Sequence, residues 1–268
     1  MEDGVGFVER LEVFGSDLTV VNSARVSFGK EVTEMTDRDE KLISYLAKHD
    51  HNSPFFHPQI RFRIKMPIFV AREWYRHTIG FARNEVSRRY VDTPPECWVP
   101  SYQQLRERDP KAKQGSKETP VNEVDTVYQI FSDATANAEQ TYKDLLQKGV
   151  APEIARAILP QSMYTEFIET ASLYAYARLC SLRLGPGAQK EIKDYAQMVH
   201  NALSEVFPAS WKALSAQFAG EKDTTTQSTT QSTTQPTVES VSVLNGTSTT
   251  IPTIEIDMSK INLDVNHC

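Results

Sequence analysis

Residues 59–90, QIRFRIKMPIFVAREWYRHTIGFARNEVSRRY, contain the clearest structural pattern in this chain of 268 residues. The first eight residues alternate between polar, mostly basic, and apolar side chains, and this period of two is typical of a half-buried strand. The apolar side chains are those of Ile60, Phe62, Ile64 and Met66, and the basic ones are those of Arg61, Arg63 and Lys65. Pro67 then stands where a helix can begin without losing a hydrogen bond, and Ile68–His77 continues at helical spacing. We therefore expect a strand over Gln59–Met66 that runs directly into a helix.

The remaining strand signal lies early in the chain, whereas the second half has helical periodicity. Gly6–Phe14 is predicted to form a short strand, and Thr36 with Asp39 forms a capping box that predicts a helix start. Helices are also predicted over Leu18–Val26 (opened by Asp17), Asn122–Lys148, Pro152–Leu159, Ser162–Arg183, Ala188–Phe207 and Ala209–Phe218. Few strands followed by many helices indicate an α+β domain.

Composition divides the chain near residue 220. Residues 224–237, TTTQSTTQSTTQPT, have almost nothing to bury, so residues 221–268 are expected to form a disordered low-complexity tail. Ile254–Ile256 alternates like a strand, which leaves a short docking strand as an alternative. The net charge of the chain is −6; six acids against two lysines beyond residue 220 leave −2 for residues 1–220. Such a domain lacks the basic surface expected for nucleic-acid binding but can hold a local basic pocket.

Other classes of protein are disfavoured by simple counts. The 40% of hydrophobic residues suffices for a core. No run of 18 apolar residues and no signal-peptide pattern is present, so we expect a soluble, intracellular, cytoplasmic protein without membrane partners. Cys97, Cys180 and Cys268 have no metal-binding or disulfide spacing. The spacing of His49, His51 and His57 matches no standard zinc pattern, and ligand contact or packing is the preferred interpretation.

Arginines dominate the candidate chemistry. Residues 72–89 hold five of them, interleaved with aromatic side chains, which favours an anion site for a phosphorylated ligand over a solvated helix face. Arg156 and Arg183 lie among apolar helical residues and need anionic partners. Those partners are either a ligand or an acid of the chain itself, such as Glu166 or Glu169.

The run Pro67–Tyr90 resembles the signature of flavin-dependent thymidylate synthases, which combine an Arg-His-Arg start with Asn-Glu-x-Ser-x-Arg-Tyr after a short gap. The stretches DLTVVNSARVSFG, LISYLAKHDHNSPFFH and PEIARAILPQSMYTEF resemble further segments of that family in the same order, so the resemblance covers residues 5–210. It implies a small antiparallel sheet packed with a predominantly helical second half. It also implies a homotetramer with active sites at subunit interfaces.

The implied activity is the conversion of dUMP to dTMP. Methylenetetrahydrofolate supplies the carbon, FAD reduced by NADPH supplies the hydride, and neither a metal nor a cysteine nucleophile takes part. By position, the residues expected at FAD are Ser27, His51, Ser53, Arg76, His77, Thr78, Arg83, Glu85, Ser172 and Arg178. Those expected at dUMP are Glu73, Arg76, Glu85, Ser87, Arg88, Arg89, Arg156 and Arg183, with Arg89 and Arg156 reaching the phosphate from different subunits. Arg183 is the expected catalytic residue, which helps to ionise N3 of the uracil ring.

Several positions depart from the family pattern. Thr78 stands where arginine is usual, and the gap before Asn84 is one residue longer, so we hypothesise that Arg83 replaces the missing guanidinium at the flavin. Glu73 stands where glutamine is common, and Ser172 and Arg178 replace asparagines. Two alternatives to an active synthase follow: a flavin or nucleotide binder that has lost turnover, and a non-catalytic helical assembly protein whose arginines pair internally.

Overall fold

The structure, a computed structural model, describes residues 1, 3–91, 93–111 and 115–225. Its strands are β1 Phe7–Phe14, β2 Gln59–Pro67, β3 Phe81–Glu85, β4 Arg106–Arg108, β5 Ser116–Pro120 and β6 Tyr164–Ser172. Its helices are α1 Asp17–Arg25, α2 Asp37–Lys48, α3 Ile68–Trp74, α4 Val124–Gln147, α5 Pro152–Ala155, α6 Leu173–Arg183, α7 Lys190–Val206 and α8 Pro208–Thr225. Residues 221–225 of the predicted tail belong to helix α8; the rest of that tail and the alternative docking strand Ile254–Ile256 lie outside the described residues.

The main sheet has four antiparallel strands in the order β1-β2-β6-β3. The alternation predicted for β2 is confirmed, since Ile60, Phe62, Ile64 and Met66 are fully buried. The basic side chains on the opposite face pair with acids, for example Arg61 with Glu12 at 3.0 Å. Burying a large apolar side chain contributes about 1.5–3 kcal/mol, so this face holds the sheet against helices α1–α3 and α6–α8.

The predicted capping box of α2 is confirmed. The Asp39 carboxylate accepts from the backbone N–H of Thr36 at 3.0 Å and from its hydroxyl at 2.5 Å. Helix α8 is capped from a distant part of the chain, because Asp17 at the start of α1 accepts from the N–H groups of Ala209 and Ser210 at 3.0 and 2.9 Å. These contacts tie the first helix of the chain to the last described one.

The largest error of the sequence prediction concerns residues 162–183. They do not form one helix: residues 164–172 are β6, a central strand paired with both β2 and β3, and only Leu173–Arg183 is helical. Strands β3, β4 and β5 were not expected either. Helix α3 ends at Trp74 rather than at His77. The predicted helix Pro152–Leu159 is α-helical only as far as Ala155 and then tightens into a 3-10 turn over Arg156–Ile158.

Candidate active site

Arg183, the last residue of α6, is held by the end of helix α3. Its Nε–H donates to Nε2 of His77 at 2.9 Å, Nη2 donates to the backbone carbonyl of Glu73 at 3.2 Å, and Nη1 pairs with the Glu73 carboxylate. Only 17% of the Arg183 side chain is exposed. The intramolecular partner of Arg183 is thus Glu73; the acids considered from sequence, Glu166 and Glu169, pair with Arg63 and Arg83 instead.

His77 is neutral in this arrangement. A nitrogen that accepts a hydrogen bond from Arg183 carries no proton, so the ring proton lies on Nδ1. Burial, and then the positive charges of Arg183, Arg83 and Arg178, lower the pKa of His77 from 6.5 to about 4. The imidazole therefore adds no positive charge to a site that is already rich in guanidinium groups.

A cavity of about 250 Å³ opens beside His77. Its polar lining consists of Arg76, His77, Thr78, Arg178 and Arg183, and its apolar lining includes Phe81 and Leu182. At the neighbouring Gly80, φ is +80° and a Cβ would lie 3.2 Å from Ala175 Cβ, so a larger residue would be strained there. Guanidinium donors next to apolar side chains suit a phosphorylated ligand that also carries an apolar ring.

A larger cavity, of about 1440 Å³, shares Arg76 and Arg183 with the first one. Its lining also includes Glu73 and the aromatic rings of Phe69 and Trp98, whose centroids are 5.2 Å apart. Arg183 therefore lies at the boundary between two cavities, where one cation can face two ligands.

A separate cavity, of about 640 Å³, is lined by four of the residues expected at dUMP. Glu85, Ser87, Arg88 and Arg156 line it, and it shares no lining residue with the other two cavities. After Ser87 the chain turns: the Tyr90 N–H donates to the Ser87 carbonyl at 3.0 Å. The Arg89 N–H donates to Ser87 Oγ at 3.3 Å, and the hydroxyl proton of Ser87 can still be donated to an anion.

Arg89 and Arg156 both contact Glu153 of the same chain. Arg89 Nε is 3.9 Å from the Glu153 carboxylate, and Arg156 Nε donates to the Glu153 carbonyl at 3.3 Å. The two arginines thus lie close together within a single chain, although the resemblance assigned them to different subunits.

The remaining expected FAD residues are dispersed. Ser27, His51 and Ser53 are exposed and line none of these three cavities. Ser172 is buried, caps α6 by accepting from the Ala175 N–H at 3.2 Å, and would lie 3.8 Å from a Cβ at Gly80. Arg83 lines none of the three cavities either; its guanidinium pairs with Glu169 and lies over the Phe81 ring, 4.6 Å from the centroid. In this conformation Arg83 does not take the place of the guanidinium missing at Thr78.

Sequence reasoning missed Thr165, Glu169 and Trp74 as supports of this region. Thr165 Oγ1 donates to the Glu85 carboxylate at 2.5 Å. Trp74 Nε1 lies 3.2 Å from both carboxylate oxygens of Glu169. The available sequence signal was the position of Glu169 among apolar residues at 164–172. It indicates a buried carboxylate only once that segment is known to be a strand.

The described cysteines are not activated. Burial and the neighbouring Glu139 raise the pKa of Cys97 to about 12, and burial raises the pKa of Cys180. Within the described part of the chain, no cluster of three or more His, Cys, Asp or Glu side chains is placed to hold a metal ion. Of the helices in the described ranges, none has the length and apolar character needed to cross a membrane.

Comparison with known proteins gives consistent matches. A family model described as thymidylate synthase complementing protein matches residues 11–209. Flavin-dependent thymidylate synthases from Thermosipho africanus and Thermus thermophilus are 35% and 38% identical to the chain over 209 and 208 residues. Each alignment covers 78% of this chain, with 90% and 75% of the respective relative. The crystal structure of a UMP/dUMP methylase, PolB from Streptomyces cacaoi bound with 5-Br dUMP, is similar with a TM-score of 0.71 at 30% identity, covering 79% of this chain and 95% of that one.

Proposed function

We propose the residue roles below from the premise that this chain belongs to the flavin-dependent thymidylate synthase family. The chain methylates dUMP reductively to dTMP and depends on a flavin. We further propose that the flavin is FAD, that methylenetetrahydrofolate donates the carbon and that NADPH is the reductant. Residues 1–220 are the proposed catalytic domain, which is supported by the match of the family model up to residue 209. The cytoplasmic location and the absence of metal, nucleic-acid and membrane partners stay predictions.

The fixed position of Arg183 carries the proposed chemistry. Glu73 and His77 hold its guanidinium at the boundary of the two connected cavities. A uracil ring that enters the larger cavity would meet a cation beside N3. A fixed cation there stabilises the N3 anion, which raises the electron density at C5 and allows C5 to attack the methylene carbon of the donor.

The part of the flavin that carries the phosphates is assigned to the smaller cavity, because about 250 Å³ is too small for a whole FAD molecule. Arg76, Thr78 and Arg178 would provide donors to its phosphates, and the neutral imidazole of His77 would contact it without adding charge. When bound and reduced, the flavin supplies the hydride that turns the transferred methylene group into a methyl group. Ser27, His51, Ser53 and Ser172 are assigned to the flavin by family position only, and Arg83, which pairs with Glu169, is not assigned to it.

The nucleotide phosphate is assigned to the 640 Å³ cavity. Ser87, Arg88 and Arg156 line it, Arg89 lies beside it at Glu153, and Glu85 stands at its edge with its carboxylate held by Thr165. Arginine and hydroxyl donors at the turn after Ser87 are suited to phosphate.

We also propose that the active form is a homotetramer with shared sites. The uracil-activating Arg183 and the phosphate residues line cavities that have no residue in common within one chain. If a second copy brings its 640 Å³ cavity to Arg183, both groups can act on one nucleotide.

Tritium release from C5-labelled dUMP, in the presence of methylenetetrahydrofolate and NADPH, tests the proposed reaction directly. We expect a yellow protein that releases tritium and that rescues a thymidine-requiring cell. Arg183→Ala should bind FAD but release no tritium, because the cation beside N3 is lost. A soluble, flavin-loaded wild-type protein without turnover would instead indicate a binder that has lost catalysis.

A further inference from the structure

Strand β6 contains a fully buried carboxylate in the centre of the sheet. Glu169 has no exposed surface and points to the same side as Phe167 and Ala171, which belong to the hydrophobic core. A charge in such a place is unfavourable unless partners satisfy it. Its partners therefore indicate what the carboxylate does.

Three structural elements converge on Glu169. The Trp74 indole of α3 donates to it at 3.2 Å, and the Arg83 guanidinium of β3 forms an ion pair with it. The hydroxyl of the fully buried Tyr176 of α6 faces the same carboxylate, although it completes no hydrogen bond of normal geometry with a described residue. Glu169, Arg83, Trp74 and Tyr176 are referred to below as the Glu169 cluster.

Each of these elements carries one group of the proposed site residues. Trp74 directly follows Glu73 and precedes Arg76 and His77. Arg83 lies two residues before Glu85 on the same side of β3, and β3 leads to the turn at Ser87. Tyr176 lies on α6 two helical turns before Arg183. Glu169 thus lies against the three elements that carry the residues proposed to bind uracil, flavin and phosphate.

The Arg83 side chain fits this interpretation better than ligand contact. It is 14% exposed, its guanidinium lies over the rings of Phe81 and Tyr75 at 4.6 and 5.3 Å, and its Nε pairs with Glu169. Stacking on two rings and pairing with a carboxylate fix both the position and the orientation of a planar guanidinium. The movement of β3 relative to β6 is restricted as a consequence.

We propose that Glu169 is a positioning residue of the reaction, and that Arg83 transmits its effect through β3 to Glu85 and Ser87. Arg83 thus acts by holding strand β3 to Glu169 and not by contacting the flavin. This inference rests on the proposed function, since it assigns a role in the same reaction. It assigns no bond-making step to either residue.

The test compares Glu169→Gln with a matched control on the same strand. Glu169→Gln keeps the size and the acceptor oxygen but removes the charge. Glu166→Gln removes a charge from the exposed face of β6, where Glu166 pairs with Arg63 at 2.5 Å and the side chains are 32% and 47% exposed. Tritium release and the KM for dUMP are measured per mole of bound flavin on the full chain, at a temperature where each variant is folded.

We expect Glu169→Gln to lower kcat/KM by about tenfold or more, because small displacements of positioned groups have large effects on rate. The fold increase in the KM for dUMP should be larger than the fold decrease in flavin occupancy. Glu166→Gln should stay within about twofold of wild type, as surface substitutions usually do. If Glu169→Gln has wild-type kcat and KM per bound flavin, the proposal is wrong.

A double variant separates positioning from stability. Glu169→Gln leaves Arg83 buried and unpaired, whereas Glu169→Gln with Arg83→Met removes both charges, so the melting temperature should recover toward the wild-type value. We expect kcat/KM to stay low in the double variant because β3 is no longer tied to β6. Recovery of activity together with stability would show a purely structural pair and overturn the proposal.

Should Glu169→Gln fail to fold, Arg83→Lys provides the second test. Lysine keeps the charge pair but lacks the planar fork and its stacking. We expect a stable, flavin-loaded protein with a raised KM for dUMP, and an unchanged KM and kcat would contradict the inference. Absence of tritium release from the wild type would refute the proposed function itself, whereas an active wild type with unaffected variants would refute only the role of Glu169.

Discussion

At the scale of single residues, the pairing of Arg183 with Glu73 determines how much positive charge a ligand meets. Glutamine is common in the family at position 73, and the carboxylate here neutralises Arg183 before any substrate arrives. A neighbouring anion weakens the ability of a cation to stabilise another anion. Glu73 is therefore expected to moderate the activation of the uracil ring.

Glu73→Gln tests this expectation. The substitution keeps the shape of the side chain and removes the competing charge, so we expect an active enzyme whose tritium release from C5 is at least as fast as that of the parent. Without the competing carboxylate, N3 should also ionise at lower pH, so the rising limb of the pH–rate profile should shift to lower pH. Loss of activity in Glu73→Gln, with FAD still bound, would show that the carboxylate itself is required.

The neutral state of His77 makes the stability of the fold dependent on pH. Its pKa is lowered from 6.5 to about 4 in the folded chain, so the unfolded chain binds a proton first as the pH falls. The contribution of His77 to stability is therefore complete above pH 6.5 and is lost between about pH 6.5 and 4.

Denaturant unfolding at several pH values measures this effect. The wild-type free energy of unfolding should fall more steeply from pH 6.5 to 4 than that of His77→Gln, which cannot titrate. An NMR titration of the His77 ring provides the native pKa independently. Parallel stability curves for the two proteins would contradict a neutral, buried His77.

At the scale of elements, strand β3 is attached to β6 by polar contacts on one face. Arg83 pairs with Glu169, and Glu85 accepts from the hydroxyl of Thr165, which is 4% exposed. Backbone pairing alone fixes the register of two strands, but these side chains also fix the rotamers of residues at the site. We thus expect Thr165 to control the carboxylate of Glu85.

Thr165→Val removes the hydroxyl with little change in volume. It should raise the KM for dUMP and lower tritium release, because the Glu85 carboxylate loses a charge-assisted hydrogen bond of roughly 1.5–3 kcal/mol. Thr165→Ser retains the hydroxyl and is the matched control, with expected recovery of most of the activity. Equal kinetics for the valine and serine variants would exclude this role of Thr165.

The misassigned strand β6 shows where periodicity fails. Its inward residues include Thr165, Phe167 and Glu169, whereas its outward residues include the half-exposed Ile168, so apolar and polar side chains do not alternate. The polar inward residues are satisfied by Glu85, Arg83 and Trp74, all of which come from other elements. The inward side chains of β2 are apolar and need no such partners, so the alternation along β2 predicted the strand correctly.

At the scale of the whole molecule, the separation of the cavities predicts sites that are shared between copies. Arg183 lines two cavities and Arg89 lies beside the third. Mixed assemblies of two inactive variants distinguish a shared site from one contained within a chain.

Arg89→Ala and Arg183→Ala should each be inactive alone. When the two are coexpressed with different tags and purified as mixed assemblies, random pairing should restore about a quarter of the sites if each site takes Arg89 from one copy and Arg183 from another. Coexpression of Arg183→Ala with itself is the control. Mixed assemblies without activity would place both arginines in one chain's site.

The sequence by itself determined the α+β class, strand β2, the capping box of α2 and the residues that carry the family signature. These features depend on the spacing of residues that are close together in the sequence, and this spacing does not depend on distant parts of the chain. Only the tertiary structure decided that residues 164–172 are a central strand, that Arg183 pairs with Glu73 and that Arg83 pairs with Glu169. The partners of these buried charges lie 86 or more residues away along the chain, and the favourable energy of each pair exists only after the sheet and helices have brought both members out of water together.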